Sequence, residues 1–266
     1  MGALSGRVAW VTGGGRGIGR AAVLALARVG AHVAVSARTR GEVDEVAAEA
    51  RKLYGPAESV TCDVSDWSQV VKTVGQIESQ LGPIDILINN AGVLGPLARM
   101  WESPPHEWAR AIEINLIGAY HCARAVLPGM IERRRGSIVN ISSGAADFAG
   151  PNWTAYAVSK AGLDHLTRNL AVDLGGTGVR VNSLHPGIVE TAMVRALRTA
   201  TPEQLPEYRR RFFEDLTANG EVAAPEAPAI VIAWLASDAT RDLNGAVLNA
   251  RDDPSLAEKA RAALNL

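Results

Sequence analysis

Sulfur, net charge and long apolar runs are all scarce in this chain, and each scarcity removes a class of protein. Only two cysteines occur in 266 residues, Cys62 and Cys122, far apart and each in an apolar context. A disulfide-stapled secreted domain is therefore not indicated, and buried free thiols are expected. Two cysteines and five scattered histidines offer no zinc-ligand spacing, so no metal is expected. The 27 Lys and Arg against 28 Asp and Glu leave a formal charge of −1, which gives no electrostatic reason to expect nucleic acid or an anionic membrane surface. No apolar run approaches the ~20 residues that a bilayer-spanning helix needs. The opening MGALSGRVAWVTGG lacks the basic, apolar and small-residue succession of a signal peptide, so a cytoplasmic location is expected. No linker, repeat or low-complexity tract divides the chain, and a single domain over 1–266 is expected.

What is present is alternation. Short, β-branched runs predict strands at 7–12, 32–37, 58–64, 84–92, 136–143, 179–187 and 245–250. Helical periodicity predicts helices at 18–30, 40–54, 66–81, 105–134, 154–174 and 225–237 between them. Strand–helix alternation of this kind gives an α/β, Rossmann-type doubly wound parallel sheet of about seven strands with helices on both faces. Residues 190–222, rich in Arg, Glu and Pro, have weak periodicity and suit a lid over substrate.

The run TGGGRGIG, Thr12 to Gly19, falls between the first strand and the first helix. Its spacing is GxxxGxG, with Gly13, Gly17 and Gly19, and no GK[ST] follows as a P-loop would require. Glycines here permit a tight turn, and the helix N-terminus presents free N–H groups to a pyrophosphate. Gly13, Gly15, Arg16, Gly17, Ile18 and Gly19 are the candidate cofactor contacts; a ligand-free glycine turn is the competing reading. The second strand then ends in SARTR, with Arg38 where an NAD site has a carboxylate for the ribose 2′-hydroxyl. Arg16 and Arg38 together suit a 2′-phosphate and favour NADP(H), unless both are simply solvated.

The segment YAVSK sets Tyr156 and Lys160 one helical turn apart, on one face. A lysine charge ~5 Å from a phenol is worth roughly 3 kcal/mol at an effective dielectric near 20, about two pKa units downward. The pair is thus a candidate proton donor with its tuning cation, against a core tyrosine beside a snorkelling lysine.

Taken in order, TGGGRGIG, Asp63-Val64, NNAG at 89–92, Asn115, Ser143, YAVSK and PGIVET resemble the short-chain dehydrogenase/reductase family over roughly residues 5–250. The resemblance implies a catalytic set of Asn115, Ser143, Tyr156 and Lys160. It takes Ser143 over Ser142 because the family's serine precedes its tyrosine by thirteen residues. It implies adenine contacts at Asp63 and Val64, and a ribose wall at Asn90, Ala91 and Gly92. Nicotinamide carboxamide contacts are implied at Pro186, Gly187, Ile188 and Thr191. Tyr156 donates a proton as hydride reaches a substrate carbonyl, Lys160 also binds the nicotinamide ribose, and Asn115 positions a water. The implied protein is an NADPH-dependent carbonyl reductase acting on a small carbonyl or alcohol, with a 3-oxoacyl-thioester reductase or a non-catalytic NADP sensor as alternatives.

The family also pairs its two long helices across a two-fold axis, so a homo-oligomer, dimer or tetramer, is implied. The tail VLNARDDPSLAEKARAALNL departs from the usual glycine-rich ending, and a short helix is expected from about Ser255. The stretch FFEDLTANGEVAAPE faintly resembles sepiapterin and dicarbonyl reductases. Trp153 and Met193 are the candidate substrate contacts beside Ser143, and His185 reads as a packed strand-end histidine.

Overall fold

The computed structural model describes residues 2–266. Seven strands form one sheet in the order β3-β2-β1-β4-β5-β6-β7. They are β1 (Val8–Thr12), β2 (His32–Ala37), β3 (Ala57–Thr61), β4 (Ile84–Asn89), β5 (Gly136–Ile141), β6 (Val179–His185) and β7 (Val247–Asn249), and every pairing is parallel. Parallel strands require crossovers, supplied here by α1 (Gly17–Arg28), α2 (Arg40–Leu53), α3 (Trp67–Leu81), α4 (Pro105–Ile112), α5 (Gly118–Glu132) and α6 (Thr154–Asp173). Then come α7 (Ala192–Arg198), α8 (Glu207–Ala218), α9 (Glu226–Ala236) and α10 (Leu256–Leu264).

Strand alternation divides the core in two. Ala9 and Val11 face α1 and α9, with Val33, Val35, Ile86 and Ile88 on the same side. Val8 and Trp10 face the opposite layer with Ala34, Leu87 and Ile138, against α3 and α5. Trp10 is fully buried, and its indole N–H donates to Ser36 Oγ at 2.8 Å.

The sheet reverses its winding between β1 and β4, where successive crossovers leave in opposite directions and open a crevice at the strand C-termini. Asn90 stitches that edge together. Its Nδ2 donates to the carbonyls of Thr12 (2.9 Å) and Gly13 (3.0 Å), while Thr12 Oγ1 accepts from the N–H groups of Asn90 and Ala91.

Several sequence boundaries shift, most of them at this end of the sheet. Strands expected to reach residues 64, 92, 143 and 187 stop at Thr61, Asn89, Ile141 and His185. Most of the residues beyond have strand-like composition but leave the ladder to line the crevice, as Cys62 to Val64, Asn90 to Gly92, Ser142 and Pro186 do. The expected single helix 105–134 is two helices joined by a π turn, Glu113–Ile117, with Asn115 in that turn. The weakly periodic 190–222 folds as α7 and α8 around its own small core of Trp153, Val194, Leu197, Leu205 and Phe213. At the C-terminus, α10 folds back on α9 through Leu256, Ala260 and Leu264.

Candidate active site

A groove of about 440 Å³ runs along the strand C-termini. One end is built by the turn between β1 and α1. Gly13 and Gly17 have positive φ (62° and 55°), which an L side chain rarely adopts. A Cβ on Gly19 would lie 2.3 Å from the Gly13 carbonyl oxygen and 2.4 Å from Asn90 Nδ2. Gly19 is therefore a packing glycine that brings α1 against β4, and it does not itself line the groove. Arg16 precedes α1 without a side-chain cap, so the first-turn N–H groups point into the groove with the positive end of the helix dipole. These residues fit a pyrophosphate.

Gly13, Gly15, Arg16, Gly17, Ile18 and Arg38 line this end, and Asp63, Val64, Asn90, Ala91 and Gly92 line its floor and wall. Arg16 and Arg38 are exposed and enter no ion pair among the described residues. Asp63 is engaged on both oxygens, accepting from Ser65 on one and from Arg110 on the other. Burial opposes its charge, but those bonds hold its carboxyl below the ordinary value. Sequence reading missed Glu42, on the first turn of α2, whose carboxylate packs over Gly15 in the same end of the groove. Its position four residues past Arg38 was the available signal.

At the other end, α6 delivers Tyr156 and Lys160 together. Both are buried, at 8% and 4% exposure, yet both line the groove. Lys160 Nζ donates to the Ile141 carbonyl at 2.7 Å and sits 5.7 Å from the Tyr156 ring centroid. Ser143 stands beside the Tyr156 phenol, its Oγ accepting from the Ala145 N–H at 3.2 Å, whereas Ser142 donates to the Lys160 carbonyl. Of the two serines it is Ser143 that acts on the phenol, although Ser142 and not Ser143 is among the residues that line the groove.

The expected downward tuning of the phenol is not what this arrangement gives. Burial pushes Tyr156 above its ordinary value, and Ser143 beside it only partly offsets this. Burial also lowers Lys160 to about 8, against the attraction of Asp164. Here desolvation outweighs the Coulomb gain read from spacing alone.

Asn115 also differs from expectation. Its Oδ1 accepts from Val93 N–H (2.8 Å), and its Nδ2 donates to the Val93 carbonyl and to Ser159 Oγ (2.9 Å each). The side chain has no donor left for water; it clamps the loop that follows β4. Pro186 and Thr191 line the groove, and Thr191 Oγ1 caps α7. Gly187 and Ile188 face a separate cavity of about 240 Å³ behind that loop. Met193 lines the groove as expected for a substrate contact, but Trp153 does not. Its indole is buried in the core of the 190–222 segment, with the Arg209 guanidinium over it at 5.0 Å and over Phe148 at 4.7 Å.

A glycine turn at the N-terminus of a first helix, facing a buried tyrosine–lysine pair across one groove, defines a dinucleotide-dependent oxidoreductase. The chain belongs to the short-chain dehydrogenase/reductase family: the family profile, described as short chain dehydrogenase, matches residues 7–202. It is 36% identical over 247 residues to the 3-oxoacyl-acyl-carrier-protein reductase FabG of Thermotoga maritima, covering 92% of this chain and 96% of that one. Among solved structures, an NAD+-bound xylitol dehydrogenase superposes with a TM-score of 0.86 at 30% identity, covering 92% of this chain and 98% of the other. A variant of actinorhodin polyketide ketoreductase with NADPH does so with a TM-score of 0.85 at 31% identity, covering 91% and 95%. The protein is accordingly a nicotinamide-dependent oxidoreductase that acts on alcohol and carbonyl groups. No described helix is long and apolar enough to cross a membrane.

Proposed function

We propose that the protein is an NADPH-dependent carbonyl reductase, converting a ketone or diketone to an alcohol in a reversible reaction. The observation that carries the cofactor choice is the pair Arg16 and Arg38, both exposed at the adenosine end of the groove and both without an ion-pair partner among the described residues. Two guanidiniums offer a 2′-phosphate charge-assisted, bidentate bonds that a bare 2′-hydroxyl cannot match.

A reduced nicotinamide supplies hydride to the carbonyl carbon. The protein's own groups do the rest. Ser143 and Tyr156 donate hydrogen bonds to the carbonyl oxygen and stabilise the developing alkoxide. Tyr156 delivers the proton: burial keeps the phenol protonated, and the developing alkoxide is a base strong enough to take that proton. Lys160 holds positive charge beside it and binds the nicotinamide ribose. Asn115 fixes the β4–α4 loop against α6. Met193 and the α7–α8 segment close over the substrate. Tyr120, Val158 and Val172 stand exposed on the outer faces of α5 and α6, which supports a homo-oligomer formed through those helices.

The test is a comparison of kcat/KM for NADPH and NADH over a panel of ketones and diketones, with Arg38→Asp beside the wild type. NADPH preference in the wild type, reversed in the variant, is expected; equal use of both cofactors by the wild type would overturn the cofactor assignment. Similarity to a 3-oxoacyl reductase and a polyketide ketoreductase favours one second reading, reduction of a β-ketoacyl thioester. It requires turnover of such thioesters well above that of simple ketones. Binding of NADPH with no carbonyl turned over would instead mark a cofactor sensor.

A further inference from the structure

One helical turn beyond Lys160, the same face of α6 carries Asp164, a carboxylate 2% exposed. No lysine or arginine pairs with it among the described residues. Its oxygens accept from His185 Nε2 and from Ser183 Oγ, each at 2.7 Å, both from the end of β6. Ser142 lies beside it too, with its one hydroxyl proton donated to the Lys160 carbonyl. Because an ionised carboxylate only accepts, the His185 proton sits on Nε2. Its Nδ1 lies 3.4 Å from an oxygen of exposed Asp147, on the loop after β5.

This network lies directly behind the lysine. The titratable groups of the cluster are Tyr156 and Asp164 on the helix of Lys160, His185 from β6, bonded to Asp164, and Asp147 from the β5–α6 loop, beside His185. From the π turn and the loop after β4 Lys160 is faced by the uncharged Asn115 and Gly92. A buried ammonium whose one direct bond goes to a neutral carbonyl needs a counter-charge to remain an ammonium.

We propose that Asp164, held by His185 and Ser183, is the buried counter-charge that keeps Lys160 protonated, and is thus a positioning residue for the proton-donating pair. Burial alone would raise the Asp164 carboxyl. The bonds from His185 and Ser183 hold it below its ordinary value, so it carries its charge at neutral pH. That charge opposes the desolvation that lowers Lys160 to about 8. Removing it disfavours the cationic lysine, so the Lys160 pKa falls further, toward neutrality. The inference rests on the reductase reading for its catalytic meaning, but its electrostatic content can be measured without substrate.

The chain has four lysines, Lys52, Lys72, Lys160 and Lys259, and all but Lys160 are exposed. Protein labelled with 13C at lysine Cε therefore gives four resonances, of which one titrates near 8 in the wild type. In Asp164→Asn that resonance is expected to titrate about one pH unit lower. The alkaline limb of the kcat profile should move down by the same amount. A merely structural tie between α6 and β6 would leave the lysine titration where it was. If Asp164→Asn does not fold, the triple variant Asp164→Leu, His185→Ala, Ser183→Ala removes the whole network without orphaning a partner, and the same drop is expected. A Lys160 resonance within about 0.2 units of the wild type in a folded variant overturns the proposal. A wild type that shows the lysine titration but reduces no carbonyl overturns the reductase reading instead.

Discussion

Replacing Asn115 with alanine separates two accounts of that residue, because they put its effect in different observables. The amide makes three hydrogen bonds, two to the backbone of Val93 and one to Ser159. Ser159 Oγ in turn donates to the Tyr156 carbonyl at 2.7 Å, so the clamp joins the β4–α4 loop to the helix that carries the proton donor. Alanine deletes all three bonds and leaves the partly buried Val93 N–H and C=O without partners. At about 1 kcal/mol per neutral bond, with some desolvation penalty added, the loss is roughly 2–4 kcal/mol. For a chain of this size each kcal/mol lowers the melting temperature by about 2–4 °C, so a drop of roughly 4–16 °C is expected at fixed protein concentration. The loosened loop also carries Asn90, Ala91 and Gly92, which line the groove, so KM for the cofactor should rise about tenfold while kcat changes less. Differential scanning calorimetry and steady-state kinetics on the same preparation measure both. A melting temperature within about 1 °C of the wild type, with kcat down about a hundredfold, would refute the clamp and restore a direct part in proton transfer.

Two other substitutions probe the ends of the groove. Tyr156→Phe should lower kcat by about a thousandfold while the NADPH dissociation constant, read by cofactor fluorescence, moves less than about threefold; a rate above a tenth of the wild type would remove the phenol from the acid role. Glu42→Gln removes a carboxylate from the end of the groove that holds Arg16 and Arg38. A carboxylate near the extra phosphate repels it by about 1 kcal/mol in water before screening, so kcat/KM for NADPH should rise about threefold, and by more than for NADH, which lacks that phosphate. An equal gain with both cofactors, or one that persists at high salt, would show that Glu42 acts through packing.

The fold is legible because its signals are periodic. Buried strands of a parallel sheet read as continuous apolar runs, and all seven stand where those runs fall. The errors fall where periodicity says nothing. Cys62 to Val64 and Pro186-Gly187 continue a strand in composition, yet after Thr61 and His185 the chain turns away to line the crevice or the cavity behind it. The π turn at Glu113–Ile117 has helical composition throughout; what marks it is the Asn115 bond to Val93, a contact 22 residues distant in sequence. Helices α7 and α8 give weak patterns because they pack around Trp153 rather than on the sheet.

At the site, spacing identifies which groups meet and misjudges the medium in which they meet. Tyr156 and Lys160 do share a face, but the expectation that a nearby cation lowers the phenol assumes a dielectric near the surface value. With both groups buried, desolvation acts on each in the direction that removes its charge, raising the tyrosine and lowering the lysine. A pair left in that condition would drift toward two neutral groups and lose the field that the lysine is there to provide. The position one turn further on is where a carboxylate can prevent this, because Asp164 is sheltered from solvent with the lysine and has its own bonds from His185 and Ser183. An aspartate in the middle of a helix is unremarkable in a linear reading, where it passes for a solvated face. It acquires meaning once burial shows that the Tyr156, Lys160 and Asp164 stripe at i, i+4 and i+8 faces the protein along its whole length.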